Sequence, residues 1–202
     1  MITSYSDLKA SIAGYLHRSD LTSMIPEFIA DGETRIYNDL RVRAMEAAYS
    51  EAVASGTVAL PSGFLEWKFL YVDGDSALKL ERKDAEWIYT NYPTRSASGK
   101  PKFFAREGET LIFGPYPDSA YTIKGRYYKR LTALSDSNTT NWFITDAPDL
   151  LRNAALIEAA PYINNDKRIA VWESKYQSTL SRLHRTERNE AFSGSQLRTT
   201  AG

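Results

Sequence analysis

Apolar residues recur at helical spacing towards both ends of the chain and at strand spacing in its middle. Over residues 6–17, Leu8, Ile12, Tyr15 and Leu16 fall on one face, which predicts a first helix with Ser6 placed to cap it. A second helix begins between Thr22 and Pro26. Thr22 or Ser23 can cap it, and Pro26 suits a first turn, where its missing N–H is no loss. Its stripe is Ile25, Phe28, Ile29, Ile36 and Leu40. Gly32 interrupts that stripe at a cost of about 1 kcal/mol relative to Ala and points to close packing against a neighbour. The short connection predicts an antiparallel helical hairpin.

After Val42 the pattern changes. Residues 45–53 and 57–60 are rich in strand formers and are separated by Ser55 and Gly56. Leu60, Pro61, Ser62, Gly63 and Phe64 read as a turn, and residues 66–72 as an apolar strand. Asp73, Gly74 and Asp75 signal a hairpin turn before a short strand at 77–81. Residues 83–89 have the composition of a short helix, with Asp84 and Glu86 in its first turn. Loop residues fill 91–101, and strands follow at 102–106, 110–113 and 121–128.

A polar linker at 135–140 leads to a third helix, capped by Thr145 or Asp146 with Pro148 in its first turn. Leu150, Leu151, Ala154, Ala155 and Ile157 mark its apolar side, and Pro161 ends or kinks it. A fourth helix carries Ile169, Trp172, Tyr176, Leu180 and Leu183 on one seam. The seam stops at Asn189, and a small, polar tail follows.

These elements predict an α+β protein: a four-helix bundle made from N- and C-terminal helical hairpins, an inserted antiparallel β unit with one short helix, and an extended C-terminal tail. The boundaries are 1–43 for the first hairpin, 44–134 for the β domain, 141–188 for the C-terminal helices packing on 1–43, and 189–202 for the tail.

Composition narrows the function. A chain of 202 residues that is 43% hydrophobic can bury a real core in one domain or two small ones. It has no Cys, which excludes disulfides, zinc–thiolate sites and Cys nucleophiles. No apolar run approaches the ~20 residues that span a bilayer, and the first residues lack a signal-peptide pattern. A soluble protein made in a cytoplasm is expected. Net charge is zero, unlike that of a dedicated nucleic-acid binder. The zero conceals a split. Residues 167–202 hold seven basic and three acidic residues, a net +4, which leaves −4 on residues 1–166. Opposite charge on two parts of one chain can favour head-to-tail association of copies, or an acidic partner at one end; a solvated helix face is the alternative reading.

Candidate chemistry is sparse. The two His, His17 and His184, are remote in sequence, and neither HExxH, GxSxG nor a phosphate-binding GxxxxGK[ST] loop occurs. Asp73–Gly74–Asp75 lacks the register and closing Glu of a calcium loop. No catalytic residue, cofactor or metal is expected. Aromatic residues are frequent (Tyr 13, Phe 8, Trp 4) and suit a β core and protein interfaces. They also suit an aromatic-surfaced carbohydrate- or cell-wall-binding module using Trp67 or Trp87, which is the alternative function. A small hydrolase is the weakest option. Trp172 and Tyr176, one turn apart, are expected in helix packing or at a subunit interface.

Three segments carry a family resemblance: NWFITDAPDLLRNAALIEAAPYINND with the Trp172/Tyr176 helix and SGSQLR, the opening SDLKASIAGYLHRSDLTSMIPEFIADGETRIYNDLRVRAMEA, and LPSGFLEWKFLYV. Together they resemble the head-to-tail adaptor (connector) proteins of short-tailed bacteriophages, of the tail-tubular-protein-A type. The resemblance implies a virion protein of the tail or neck, in a ring of usually twelve copies between the portal protein and the tail nozzle. The helical part would face the portal and neighbouring copies, and the β unit the nozzle. The ring would surround the genome-ejection channel, with transient contact to double-stranded DNA and none to a membrane. The C-terminal segment would grip the portal. There Phe192 and Leu197 are the apolar docking candidates, and Arg185, Arg188 and Arg198 the candidates for acidic or carbonyl groups.

Overall fold

The computed structural model describes residues 1–74, 78–93, 98–163 and 167–191, the last without its side chain. In chain order the elements are α1 (Tyr5–Leu16), a 3₁₀ helix (Ser19–Met24), α2 (Ile25–Asp39), a second 3₁₀ turn (Arg43–Met45), β1 (Glu46–Val53), β2 (Thr57–Ala59), β3 (Phe64–Val72), β4 (Leu78–Lys79), β5 (Glu81–Arg82) and α3 (Ala85–Asn91). There follow β6 (Phe103–Glu107), β7 (Thr110–Gly114), β8 (Tyr121–Lys129), α4 (Trp142–Asp146), α5 (Pro148–Glu158), a 3₁₀ turn (Ala160–Tyr162) and α6 (Arg168–Ala191). Tertiary contacts divide the chain into two units, Met1–Ala44 with Leu131–Gly202, and Met45–Arg130.

In the first unit, α1 starts at Tyr5, one residue before the expected span of 6–17. Ser4, not Ser6, is the cap: its Oγ accepts from the Asp7 amide at 3.2 Å. The helix ends at His17 in a left-handed conformation, whose N–H reaches the Ala13 carbonyl at 3.1 Å. No side chain caps α2. The stretch expected to cap it is itself the 3₁₀ helix, and the Thr22 hydroxyl donates to the Ser19 carbonyl inside it. Likewise Thr145 and Asp146 do not cap α5, because they belong to the separate short helix α4. Asn141 caps α4, its Oδ1 accepting from the Phe143 amide at 3.0 Å. Helix α5 ends before Pro161, which sits in the 3₁₀ turn.

The expected four-helix bundle is not formed. Among the described residues there are six α-helices and eight strands, and the helices of this unit converge on α5. Helix α5 packs against α2, α6, α1 and α4, while α1 and α2 touch each other much less than α2 touches α5. The reason lies in the burial of α5: Leu150, Leu151, Asn153, Ala154, Ala155, Leu156 and Ile157 are all buried. A helix buried on nearly every side is a central strut, and cannot be one quarter of a bundle whose members each keep a solvent face.

The second unit holds two four-stranded sheets, ordered β1-β8-β3-β4 and β2-β7-β6-β5. Most pairs are antiparallel, as expected, but β5 and β6 run parallel, with Glu81 opposite Phe103 and Arg82 opposite Phe104. A parallel pair needs a crossover, and α3 lies on it. The strand expected at 77–81 divides in two: β4 pairs with β3 in one sheet, β5 with β6 in the other. Tyr49, Val53, Leu70, Val72, Leu80, Phe104, Leu111, Phe113, Ile123 and Tyr127 form the main core. Ala105 and Ile112, alternating with Phe104, Leu111 and Phe113, pack instead with Ile88 of α3. The second sheet is therefore buried on both faces, which a strict in–out alternation would not produce.

Candidate functional site

Helix α6 is 24 residues long, about 36 Å at 1.5 Å per residue. Its inward seam is Trp172, Tyr176, Leu180 and Leu183, all buried in the helical unit. Trp172 lies under the Arg168 guanidinium, 5.4 Å from the ring centroid. The Tyr176 hydroxyl donates to Asp39 Oδ2 at 2.7 Å, which ties α6 to the end of α2. Burial, and then the neighbouring Asp39 carboxylate, hold that hydroxyl far above the usual tyrosine range.

Charges sort to the two sides of this seam. The three acidic residues of α6 lie along its inner margin and meet arginines of the same unit. Arg35 of α2 pairs with Glu158 of α5 at 2.5 Å and reaches Glu173 at 3.9 Å. Arg43 pairs with Glu187 at 3.5 Å and with Glu190, and the Glu187 carboxylate also accepts from the Arg43 amide at 3.1 Å. A cleft of about 400 Å³ opens at this end, bordered by Trp142, Asp146, Arg182 and Glu190. Exposed pairs of this kind each contribute about 0–1 kcal/mol, so their effect lies more in where they turn the acidic groups than in stability.

The outward side of α6 is different. Lys175, Arg182, Arg185 and Arg188 are exposed, with no ion-pair partner among the described residues. Ser174, Ser178 and Ser181 stand between them. Of the residues singled out for docking, Arg185 and Arg188 are on this exposed face, while Phe192, Leu197 and Arg198 lie outside the described residues. The helix continues two residues beyond Asn189, where its apolar seam stops. Polar sequence hid that extension, and the pairing of Glu187 and Glu190 with Arg43 is what supports it.

One buried carboxylate escaped sequence reasoning. Glu33 of α2 is 5% exposed, and Asn141 Nδ2 donates to its Oε1 at 3.1 Å. Burial raises its pKa, and the Asn141 hydrogen bond offsets part of that rise. Its position among Phe28, Ile29, Gly32 and Ile36 breaks the apolar stripe only once, too weak a sequence signal to mark it as buried.

Among the described residues, no three or more His, Cys, Asp or Glu are placed to hold a metal ion, and no helix is long and apolar enough to cross a membrane. His17 terminates α1 and His184 lies exposed on α6. In the β unit Trp67 is partly buried, its ring 4.8 Å from Tyr49 and from Phe64 and 5.6 Å from Tyr127. Trp87 is likewise partly buried, 4.9 Å from Phe103 and 6.2 Å from Tyr92. Both indoles are committed to packing within aromatic clusters.

A search of curated proteins found no match. A family model described as SU10 adaptor protein matches residues 3–200, which takes in both structural units. The chain belongs to the SU10 adaptor protein family.

Proposed function

We propose that this chain is a structural adaptor of a bacteriophage particle, joining the portal to the tail nozzle in a ring of neighbouring copies around the genome-ejection channel. The observation that carries this reading is the adaptor-family match over residues 3–200. An adaptor of this kind works by holding proteins together and performs no chemistry. It is made in the host cytoplasm and ends in the virion. A twelve-fold ring is the arrangement the family resemblance favours, with the helical unit towards the portal and the β unit towards the nozzle.

The portal-docking role falls to the C-terminal end. Beyond α6 the chain continues for eleven residues with Phe192, Leu197 and Arg198. Apolar side chains would fill portal pockets, and the Arg198 guanidinium would meet carboxylates or carbonyls through charge-assisted hydrogen bonds. Genomic DNA passes the lumen in transit. Zero net charge suits such passage, because each additional phosphate contact tightens binding.

The test is a truncation that ends the chain after Ala191, so that the Arg43–Glu187–Glu190 pairs remain. The truncated protein should keep its far-ultraviolet circular dichroism and melting behaviour, yet fail to co-sediment with portal-bearing capsids. Normal capture of the truncation by those capsids would sink the docking role of the tail. The carbohydrate-binding reading gains no support from the packed positions of Trp67 and Trp87.

A further inference from the structure

We infer that neighbouring copies join head to tail through two helix faces, the basic outward face of α6 on one copy against the acidic outward face of α2 on the next. The inference rests on the reading that copies assemble side by side, and assigns the surfaces that meet.

The α6 face carries one sign of charge. Glu173, Glu187 and Glu190 are the acidic residues of the helix, and each is engaged by Arg35 or Arg43 of its own chain. That leaves Lys175, Arg185 and Arg188 exposed and unpaired among the described residues, with Arg182 exposed at the rim of the cleft it shares with Asp146, Glu187 and Glu190. Over the 14 residues from Lys175 to Arg188 the face extends about 20 Å.

Helix α2 carries the opposite sign. Glu27 and Asp31 are exposed, one turn apart, and neither has an ion-pair partner among the described residues. The one basic residue of α2, Arg35, is turned towards Glu158 and Glu173. Beside Asp31 runs an open groove of about 430 Å³, also bordered by Thr34, Asn38, Asp39, Glu158 and Arg35, whose charge is met by Glu158. Such a groove can receive a Lys or Arg side chain from outside. Glu27 and Asp31 lie about 6 Å apart along the helix axis, and the groove carries this face on past Thr34 to Asn38.

Shape agrees with charge. Ala30 and Thr34 on α2, and Ser174, Ser178 and Ser181 on α6, are exposed and small. They let two helices approach to the usual 8–10 Å of packed pairs, with the charges at the margins. Because the two faces are different, the contact is heterologous, and repeating it produces a ring or a filament instead of stopping at a dimer. Exposed charges are screened beyond about 8 Å at physiological salt, so the contact should weaken as salt rises.

The absence of Cys from the chain permits a clean test. Asp31→Cys and Ser178→Cys variants are purified separately, mixed, and oxidised, both alone at high concentration and with portal-bearing capsids. A disulfide between the two variants can only join different copies. The mixed species should exceed both homodimers several-fold and fall with added salt. Adding Lys175→Glu, Arg182→Glu and Arg185→Glu to the Ser178→Cys partner should abolish it. Adding Glu27→Lys to the Asp31→Cys partner should then restore it. A mixed species no more abundant than the homodimers, or one indifferent to charge reversal, would overturn the inference. Portal capture without this cross-link would reject these faces and leave the adaptor reading standing. A cross-link without portal capture would do the reverse. Loss of portal capture on reversing α6, with the α2 variants unaffected, would instead assign the basic face to the portal and overturn the proposal.

Discussion

A Cβ placed on Gly32 would lie 2.8 Å from the backbone nitrogen of Ala155 and 3.2 Å from its Cα. Helices α2 and α5 meet here at a distance only glycine tolerates, and backbone atoms, unlike a flexible side chain, cannot move aside. Two effects then compete in Gly32→Ala. Helix propensity favours Ala by about 1 kcal/mol, while overpacking costs about 1–3 kcal/mol. Overpacking should win, lowering the urea midpoint of the helical unit with little change in slope. Gly14→Ala in α1 is the control. Nothing lies within 4 Å of its added Cβ, so propensity alone should raise stability by up to about 1 kcal/mol.

Tyr176 and Asp39 offer a second measurement. Removing the hydroxyl in Tyr176→Phe deletes the 2.7 Å bond but keeps the ring in the seam. Asp39 is exposed and can be rehydrated, so the loss should be nearer 1 kcal/mol than the 1.5–3 kcal/mol of a fully buried charged bond. Tyr176→Ala should cost about 3–5 kcal/mol, because the ring is fully buried. Chemical denaturation of the two variants separates the hydrogen bond from the packing.

Glu33 should make the protein less stable as pH rises. Its folded pKa is raised by burial, so the unfolded chain loses its proton first. Below the unfolded value of about 4.3 both states hold the proton and no penalty exists. Above it the penalty grows until the folded group also ionises, and then stays constant. Glu33→Gln should therefore be more stable than the parent at pH 7 and match it near pH 3. Asn141→Ala should cost about 1 kcal/mol through the lost α4 cap, and more at pH 7, because Glu33 also loses its donor. In the double variant with Glu33→Gln that surplus should disappear, a non-additivity readable from melting curves.

In the β unit, Tyr49 is 5% exposed and burial pushes its pKa to about 12. Its hydroxyl is buried without a hydrogen-bond partner among the described residues. The unfolded tyrosine ionises near pH 10 while the folded one resists, so stability should fall between pH 10 and pH 12, by up to about 3 kcal/mol. Tyr49→Phe should remove that alkaline loss and be neutral or slightly stabilising at pH 7. A parent and variant that lose stability in parallel above pH 10 would contradict this.

Much of the chain was legible before folding. The apolar spacing of Leu8, Ile12 and Leu16, and of Trp172, Tyr176, Leu180 and Leu183, located faces that are buried. The strands around Gly56 and Gly108 fell where turn residues predicted them. Gly32 marked a close approach before its neighbour was known. What misled was local. Ser6, Thr22 and Asp146 are good cap formers by type, yet Ser4 and Asn141 do the capping, because tertiary contacts decide where each helix begins. The docking candidates were legible only as composition: Arg185 and Arg188 look like any solvated cations until the acidic residues of α6 are seen turned to Arg35 and Arg43.

Sequence by itself determined the α+β class, the order of helical and strand regions, the lack of cysteine chemistry, and the opposite charge of the two parts of the chain. Periodicity and residue type are local properties, and these are local consequences of them. Tertiary structure alone decided that α5 is central, that two sheets form with β5 parallel to β6, and that the acidic residues of α6 meet Arg35 and Arg43. Each of those depends on which distant residue meets which: Ala155 with Gly32, Glu81 with Phe103, Glu187 with Arg43. Contacts across long stretches of chain form by burying shared surface and pairing charge, and one-dimensional spacing carries no record of the partner.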